Sequence, residues 1–284
     1  MAESTEDRGG VEPPGAEEGL EPLRAFRTLT VGPAVVEPAR VRTPYRLTGL
    51  DGREEETELI YRWEEELFSP EEPDSLNLAA LITAQAALNY GLFCDEIRFC
   101  GPFDSADRRF LNGAAGNTAR EIYVNKFLRP NPFLVGPASN LPVIRSKSYL
   151  RARLVFEPNR TGAGALRREG RGWAASPERC AVLSSGGKDS LLSFGLVREL
   201  GYEVHPLFVN ESGRHWFTAL NAYRYLRDRV PETGRVWTNA DRLYNWMLRF
   251  LPFVRPDHLR LRSDAYPVRL WTVAVFLFGI LPLV

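Results

Sequence analysis

The stretch CAVLSSGGKDSLLSFGLVRELG, residues 180–201, constrains the fold more than any other part of this chain. CAVLS has the length and apolarity of a short buried strand, and SGGKD is a turn. SLLSFGLVREL then carries apolar residues at helical spacing and is closed by Gly201. The pattern repeats. VHPLFVN is a second strand, with Pro206 expected at its start because proline donates no ladder hydrogen bond. HWFTALNAYRYLRDR is a second helix, whose aromatics fall at the spacing of core packing, and GRVWTNA is a third strand. Strands alternating with helices of this length imply the α/β class, a parallel sheet with crossover helices.

The preceding sequence has a different rhythm. From Phe26 to about Ile60, apolar and polar residues alternate between Pro and Gly punctuation, as in a small antiparallel sheet. LTGLDGREEETELIY has a hairpin pattern with Asp51-Gly52 at its turn. PDSLNLAALITAQAALNYGLF follows as a helix, with Asp74 or Ser75 as expected N-cap, and DEIRFCG is a strand. DSADRRFLNGAAGNTAREIYVNKFL reads as one helix broken around Gly113–Gly116, or as two; SYLRARLVFEP is a further strand. An α+β N-terminal module is therefore expected over residues 23–157, a Gly/Ala/Arg linker over 158–178, and the α/β domain over 179–284.

Bulk properties narrow the partners. Of 284 residues, 36 are Lys or Arg and 36 Asp or Glu, so no basic field draws the chain to nucleic acid. The three cysteines lack C-x-x-C spacing, and the plain reading is reduced thiols in a cytoplasm. Residues 1–22 are acidic, rich in Pro and Gly, and expected to be a disordered tail without signal-peptide character. LWTVAVFLFGILPLV, residues 270–284, is shorter than a membrane span and contains Gly and Pro; a buried core helix is expected, in a domain truncated at its C-terminus.

The turn at 185–190 carries the chemistry. A helix N-terminus leaves N–H groups unpartnered and concentrates about half a positive charge. Gly186 and Gly187 admit positive φ and close approach of an anion, Ser185 and Ser190 supply hydroxyls, and Lys188 supplies a cation. Phosphate is the ligand that fits. A Walker A loop does not: its first glycine would fall on Val182, and Asp189 follows the lysine. The adjacent glycines exclude G-x-G-x-x-G as well.

SSGGKDS resembles S-G-G-x-D-S, the signature of the PP-loop ATP pyrophosphatases, and the strand-loop-helix-strand context over about residues 179–215 is similar too. The resemblance implies ATP with Mg²⁺, attack of an acceptor on the α-phosphate, and AMP with pyrophosphate as products. By the same resemblance Ser185, Gly186, Gly187 and Ser190 donate to the departing pyrophosphate, Lys188 offsets its charge, and Asp189 orients the metal or caps the helix. Lys188, Asp189 and Ser190 are thus the expected catalytic residues. VNESGRHW lies, in such enzymes, near adenine and ribose, which makes Asn210 and Glu211 candidate nucleotide contacts and Arg214 and His215 candidate substrate contacts.

RPDHLRLRSDAYPVRLW adds Arg262, Tyr266 and Arg269 as substrate candidates, because Arg clamps carboxylates in bidentate fashion. Asp104 and Asp107 line a substrate pocket or lie on a helix surface, the second being the plainer reading. The expected function is an AMP-forming enzyme that adenylates a carboxylate or carbonyl of a small molecule. A narrower resemblance is to the ATP-dependent epimerase of UDP-N-acetylmuramoyl-L-alanyl-L-glutamate, from which DAYPVRLWTVAVFLF departs. The alternatives are a non-catalytic nucleotide sensor and a tRNA-modifying PP-loop enzyme. Balanced charge and unpaired cysteines disfavour tRNA thiolation.

Overall fold

The computed structural model describes residues 19–157, 176–211, 215–261, 263 and 272–284. Nine strands occur among them: β1 Phe26–Val31, β2 Val35–Glu37, β3 Arg40–Gly49, β4 Glu54–Trp63, β5 Cys94–Cys100, β6 Arg153–Glu157, β7 Arg179–Leu183, β8 Glu203–Asn210 and β9 Gly234–Thr238. The helices are α1 Pro73–Ala84, α2 Ser105–Ile122, α3 Lys188–Glu199, α4 His215–Arg227, α5 Ala240–Leu248 and α6 Thr272–Ile280. All nine strands join one mixed sheet in the order β6-β5-β1-β3-β4-β9-β8-β7, with β2 beside β3.

The β7-α3-β8-α4-β9 part is the expected parallel sheet with crossover helices, β7 pairing with β8 and β8 with β9. β3 and β4 form the expected hairpin, and Gly52 takes φ 83° in its turn. The two parts meet edge to edge. β4 runs antiparallel to β9, with Tyr61 opposite Thr238, Arg62 opposite Trp237 and Trp63 opposite Val236. The expected boundary at 158–178 falls largely outside the described residues, and the main hydrophobic core takes side chains from both sides of it. Phe26, Tyr61 and Ala79 share that core with Val236, Tyr244, Met247 and Val275. A smaller core of Phe194, Val204, Phe208, Ala219, Tyr223 and Leu226 lies under α3 and α4.

Several local expectations change. β7 is not buried: it is the last strand in the sheet order, and Arg179 and Ala181 are exposed. Pro206 sits inside β8. Ser184 donates its N–H to the Leu207 carbonyl, so the backbone of residue 207 faces β7, and by strand alternation residue 206 faces β9. The ladder with β9 starts only at Leu207, so the N–H that Pro206 lacks has no partner to lose. The N-cap of α1 is Glu72, with Pro73 as the first helical residue, where its fixed φ suits the turn. α2 runs unbroken through Gly113 and Gly116. A capping box starts it: Asp104 Oδ1 accepts from the Ala106 and Asp107 N–H groups, and Asp107 Oδ2 accepts from the Asp104 N–H. These two acids therefore serve the helix, and burial pushes the Asp107 carboxyl above its ordinary range.

Leu20 and Leu23, at the inner end of the acidic N-terminal stretch, are buried, and Glu21 accepts a hydrogen bond from Arg151. The apolar C-terminal stretch docks as the nine-residue helix α6. Tyr61 donates its hydroxyl to the Val275 carbonyl at 3.1 Å, and Trp63 donates its indole N–H to the Gly279 carbonyl at 2.9 Å. No helix among the described residues is long and apolar enough to cross a membrane. All three cysteines are free thiols, and burial raises the Cys94 thiol far above its usual range.

Arg24 grips Asp95 in bidentate geometry, at 2.9 and 2.6 Å, and holds that carboxyl below its ordinary range. A carboxyl depressed in the folded state contributes stability above its unfolded value and loses it as pH falls through the folded one. Urea midpoints should therefore hold from pH 7 to about 5 and decline below about 4. Asp95→Asn should start lower at pH 7 and decline less steeply. Parallel curves for the two proteins would remove Asp95 from the acid response.

Candidate functional site

The SGGKD turn leaves the carboxyl end of β7 and enters α3. Ser184, only 5 % exposed, organises it. Ser190 Oγ donates to the Gly187 carbonyl at 2.9 Å, which leaves the 3.2 Å contact between the two hydroxyls to be donated by Ser184. Ser184 Oγ in turn accepts the Gly186 N–H at 3.2 Å. This chain of hydrogen bonds ties both ends of the turn together. Gly186 has φ 74°, a left-handed conformation that glycine alone adopts without strain. A Cβ at this position would stand 2.6 Å from the Ala219 Cα and 3.1 Å from the Thr218 carbonyl oxygen. The turn is thus pressed onto the backbone of α4.

Gly187 is the N-cap of α3, and no side chain caps the helix. Its first-turn N–H groups remain available to an anion, with the helix dipole behind them. Ser185, Lys188 and Asp189 are exposed around this terminus, while Gly186, Gly187 and Ser190 are half-buried. The arrangement can hold phosphate oxygens on backbone N–H groups and place one cation and one carboxylate beside them.

Asn210 ends β8, and Glu211 follows it, at the same carboxyl edge as the turn. Asn210 lines a cavity of about 270 Å³ together with Arg62, Trp63, Glu64, Arg235 and Trp237. Across the sheet, Arg40, Arg62, Trp237 and Asn210 are successive register partners and share one face. The Arg62 guanidinium carbon lies 5.2 Å from the centroid of the Trp237 ring. Glu64 accepts from Arg235 at 2.6 Å and from the Tyr223 hydroxyl at 2.8 Å. Burial, then the hydrogen bond to Glu64, raises the Tyr223 phenol. Arg235 also rests on the rings of Tyr223 and Trp216, at 5.0 and 5.6 Å. Helix α4 therefore touches the turn through Ala219 and carries Tyr223, which braces this cavity, one helical turn later.

His215 is the first residue of α4. Arg214, Arg262, Tyr266 and Arg269 lie outside the described residues. Sequence reasoning missed Ser184, although it stands next to Ser185 in the motif, because nothing local marks which of two serines turns inward. It also missed Arg62, Glu64, Arg235 and Trp237. Only the pairing of β4 with β9 brings them together, and no short-range pattern announces that pairing.

The chain is 35 % identical over 63 residues to a 7-cyano-7-deazaguanine synthase of Chlorobium luteolum, which covers 22 % of this chain and 28 % of that enzyme. It is 35 % identical over 65 residues to the 7-cyano-7-deazaguanine synthase of Chlorobium phaeobacteroides, covering 23 % and 29 %. The chain thus spans less than a third of the length of the curated relatives it matches. The likeness supports the PP-loop ATP pyrophosphatase superfamily and gives no support to the epimerase family. No family model matches the chain. No solved structure matches it either.

Proposed function

We propose that this protein is an ATP-dependent, AMP- and pyrophosphate-forming enzyme that adenylates a carboxylate or carbonyl of a small-molecule acceptor. The observation that carries the reading is the turn itself: Ser184 and Ser190 tie a left-handed Gly186 against the α4 backbone, and α3 is left uncapped. The buried hydroxyl and the glycine-only contact with α4 fix the shape of an exposed turn. They make sense where an anion must meet fixed N–H donors.

In this reading the N–H groups from Gly187 onward and the Ser185 hydroxyl bind the β- and γ-phosphates. Ser190, by turning its hydroxyl from the Gly187 carbonyl, adds another donor. Lys188, exposed on a flexible stem, neutralises the charge that grows on pyrophosphate as it leaves. No group of three potential metal ligands exists among the described residues. Mg²⁺ fits as an ion carried by the phosphates of ATP, with Asp189 as the carboxylate beside it. Asp189 would hold the ion there, and the chemistry it would supply is positive charge that offsets the phosphate charge repelling the attacking group. Asn210 and Glu211, at the end of the neighbouring strand, are the residues proposed to meet the nucleoside.

The relatives' name denotes a nitrile product, and a nitrile carbon stands at the oxidation level of a carboxylic acid. That is compatible with activation of a carboxylate acceptor here. The cell-wall epimerase reading has no comparable support.

ATP labelled at the α-phosphate, supplied with Mg²⁺ and a panel of carboxylate acceptors, should yield labelled AMP. Lys188→Ala and Ser190→Ala should each lower the rate about a hundredfold, the scale of losing one preorganised charge-stabilising group. Labelled ADP in place of AMP would overturn the reading.

A further inference from the structure

The segment ahead of Gly19 adjoins a loop whose charge is opposite to its own. Residues 1–18 hold six carboxylates, Glu3, Glu6, Asp7, Glu12, Glu17 and Glu18, against the single side-chain cation Arg8. Residues 122–156 hold the reverse, six Lys or Arg and no Asp or Glu, in a chain where the two signs balance. Two of those six are already matched: Arg151 meets Glu21 and Asp95, and Arg153 meets Glu96. Arg145 and Lys147 are exposed and have no ion-pair partner among the described residues.

The loop that carries these two cations is held from within. Tyr149 donates its hydroxyl to the Ile144 carbonyl at 2.8 Å, and the Tyr123 hydroxyl donates to the Pro142 carbonyl. The two phenol rings stack, with centroids 4.8 Å apart. Ser146 Oγ donates to the Ser148 carbonyl at 2.7 Å and accepts the Ser148 N–H at 3.3 Å. Arg145 and Lys147 take no part in this framework, so their charge is left for something else. Gly19 is pressed onto the same loop: a Cβ there would stand 2.1 Å from Ile144 Cδ1 and 3.4 Å from Pro142 Cγ. Glu17 and Glu18 therefore join the chain within about 7 Å of Gly19, at two extended residues or fewer. Two residues after Gly19, Glu21 already shows the pattern, an acid of the N-terminal stretch bound to a cation of the acid-free region at 2.7 Å.

We propose that the loop at 142–149 is the seat of the chain's own acidic segment, with Glu12, Glu17 and Glu18 supplying the carboxylates that Arg145 and Lys147 lack. Exposed ion pairs are individually weak. The tether at Gly19 offsets that weakness, because it supplies the second partner at high effective concentration and lets several weak pairs act together. An occupied seat withholds these cations from phosphate-rich and sulfated polymers. The balance of charge is then arranged locally as well as in total.

The chain has three lysines, Lys126, Lys147 and Lys188, so a zero-length carbodiimide cross-link between amine and carboxylate, mapped by mass spectrometry, reports the seat directly. In the full chain at low salt, Lys147 should be joined to Glu12 as well as to Glu17 or Glu18. Glu12 is the deciding partner, because the tether alone does not bring it to the loop. Lys188 should give no such link, since it follows β7 and the loop precedes β6, at opposite ends of the sheet. About 1 M NaCl, which cuts the reach of exposed charges to about 3 Å, should lower the Lys147–Glu12 yield about threefold or more. Arg145→Glu should do the same while leaving Lys147 and the tether intact. Arg145 is exposed, so its replacement tests docking and not folding. A heparin tetrasaccharide, the polyanion probe, should bind the Glu12→Gln, Glu17→Gln, Glu18→Gln triple variant about tenfold tighter than the wild-type chain. Adding Arg145→Glu should remove that gain. Absence of the Lys147–Glu12 link, a link indifferent to salt and to Arg145→Glu, or equal heparin affinity in the wild-type and neutralised chains would each overturn the proposal. Equal and tight heparin binding would assign the loop to a separate polyanion instead.

Discussion

Gly186→Ala is expected to abolish ATP binding. The added methyl meets two obstacles at once. It imposes a left-handed conformation on a residue with a side chain, which costs about 1–2 kcal/mol. It also sets a carbon 2.6 Å from the Ala219 Cα, a backbone atom that cannot rotate away. Overpacking of that kind costs typically about 1–3 kcal/mol more, so the native turn is disfavoured by roughly 2–5 kcal/mol. The turn can escape by moving off α4, but that pulls the Gly186 N–H from Ser184 and misplaces the start of α3. Gly187→Ala is the matched control. Its φ is −83° and its nearest neighbour would be Ser185 Oγ at 3.5 Å, so the fold should tolerate it. Equilibrium dialysis with Mg-ATP, alongside urea unfolding, separates the two. Wild-type affinity in Gly186→Ala would mean that the turn is not the phosphate site.

That contrast between two adjacent glycines shows what the sequence could and could not convey. SSGGKDS, its flanking strand and its helix were legible because the chemistry is local: N–H groups, φ freedom and charge all lie within a few residues. The separate reason for Gly186 was not, since it depends on α4 arriving from beyond β8. The hairpin at Asp51-Gly52 and the alternation from β7 to β9 were legible for the same local reason. The exposure of β7 was not, because apolar composition is shared by central and edge strands and only the sheet order distinguishes them. The continuity of α2 through Gly113 and Gly116 turned on a capping box and on buried Leu111, Ala114 and Ala115, which outweigh about 1 kcal/mol per glycine. Edgewise joining of β4 to β9 left no mark at all in composition or periodicity, yet it creates a cavity that unites the two halves of the sequence.

The seam itself makes the last expectation sharp. Three register pairs hold β4 to β9, and beyond them Asn239 continues the ladder with its side chain. Its Oδ1 accepts the Ile60 N–H at 2.7 Å and its Nδ2 donates to the Glu58 carbonyl at 2.9 Å, while its own N–H reaches the Ile60 carbonyl at 3.3 Å. The amide thus satisfies two backbone groups on the same edge of β4, just beyond the last register pair with β9. Asn239→Ala should leave both without partners, at about 1–3 kcal/mol each, and lower the unfolding free energy by roughly 2–6 kcal/mol. Asn239→Asp is the more telling variant. One carboxylate oxygen can still accept from Ile60, but the other would confront the Glu58 carbonyl, so replacing one amide nitrogen by oxygen should cost nearly as much as truncation. Denaturant melts decide it: unchanged stability in Asn239→Asp would show that the amide is not what closes the end of the β4–β9 seam.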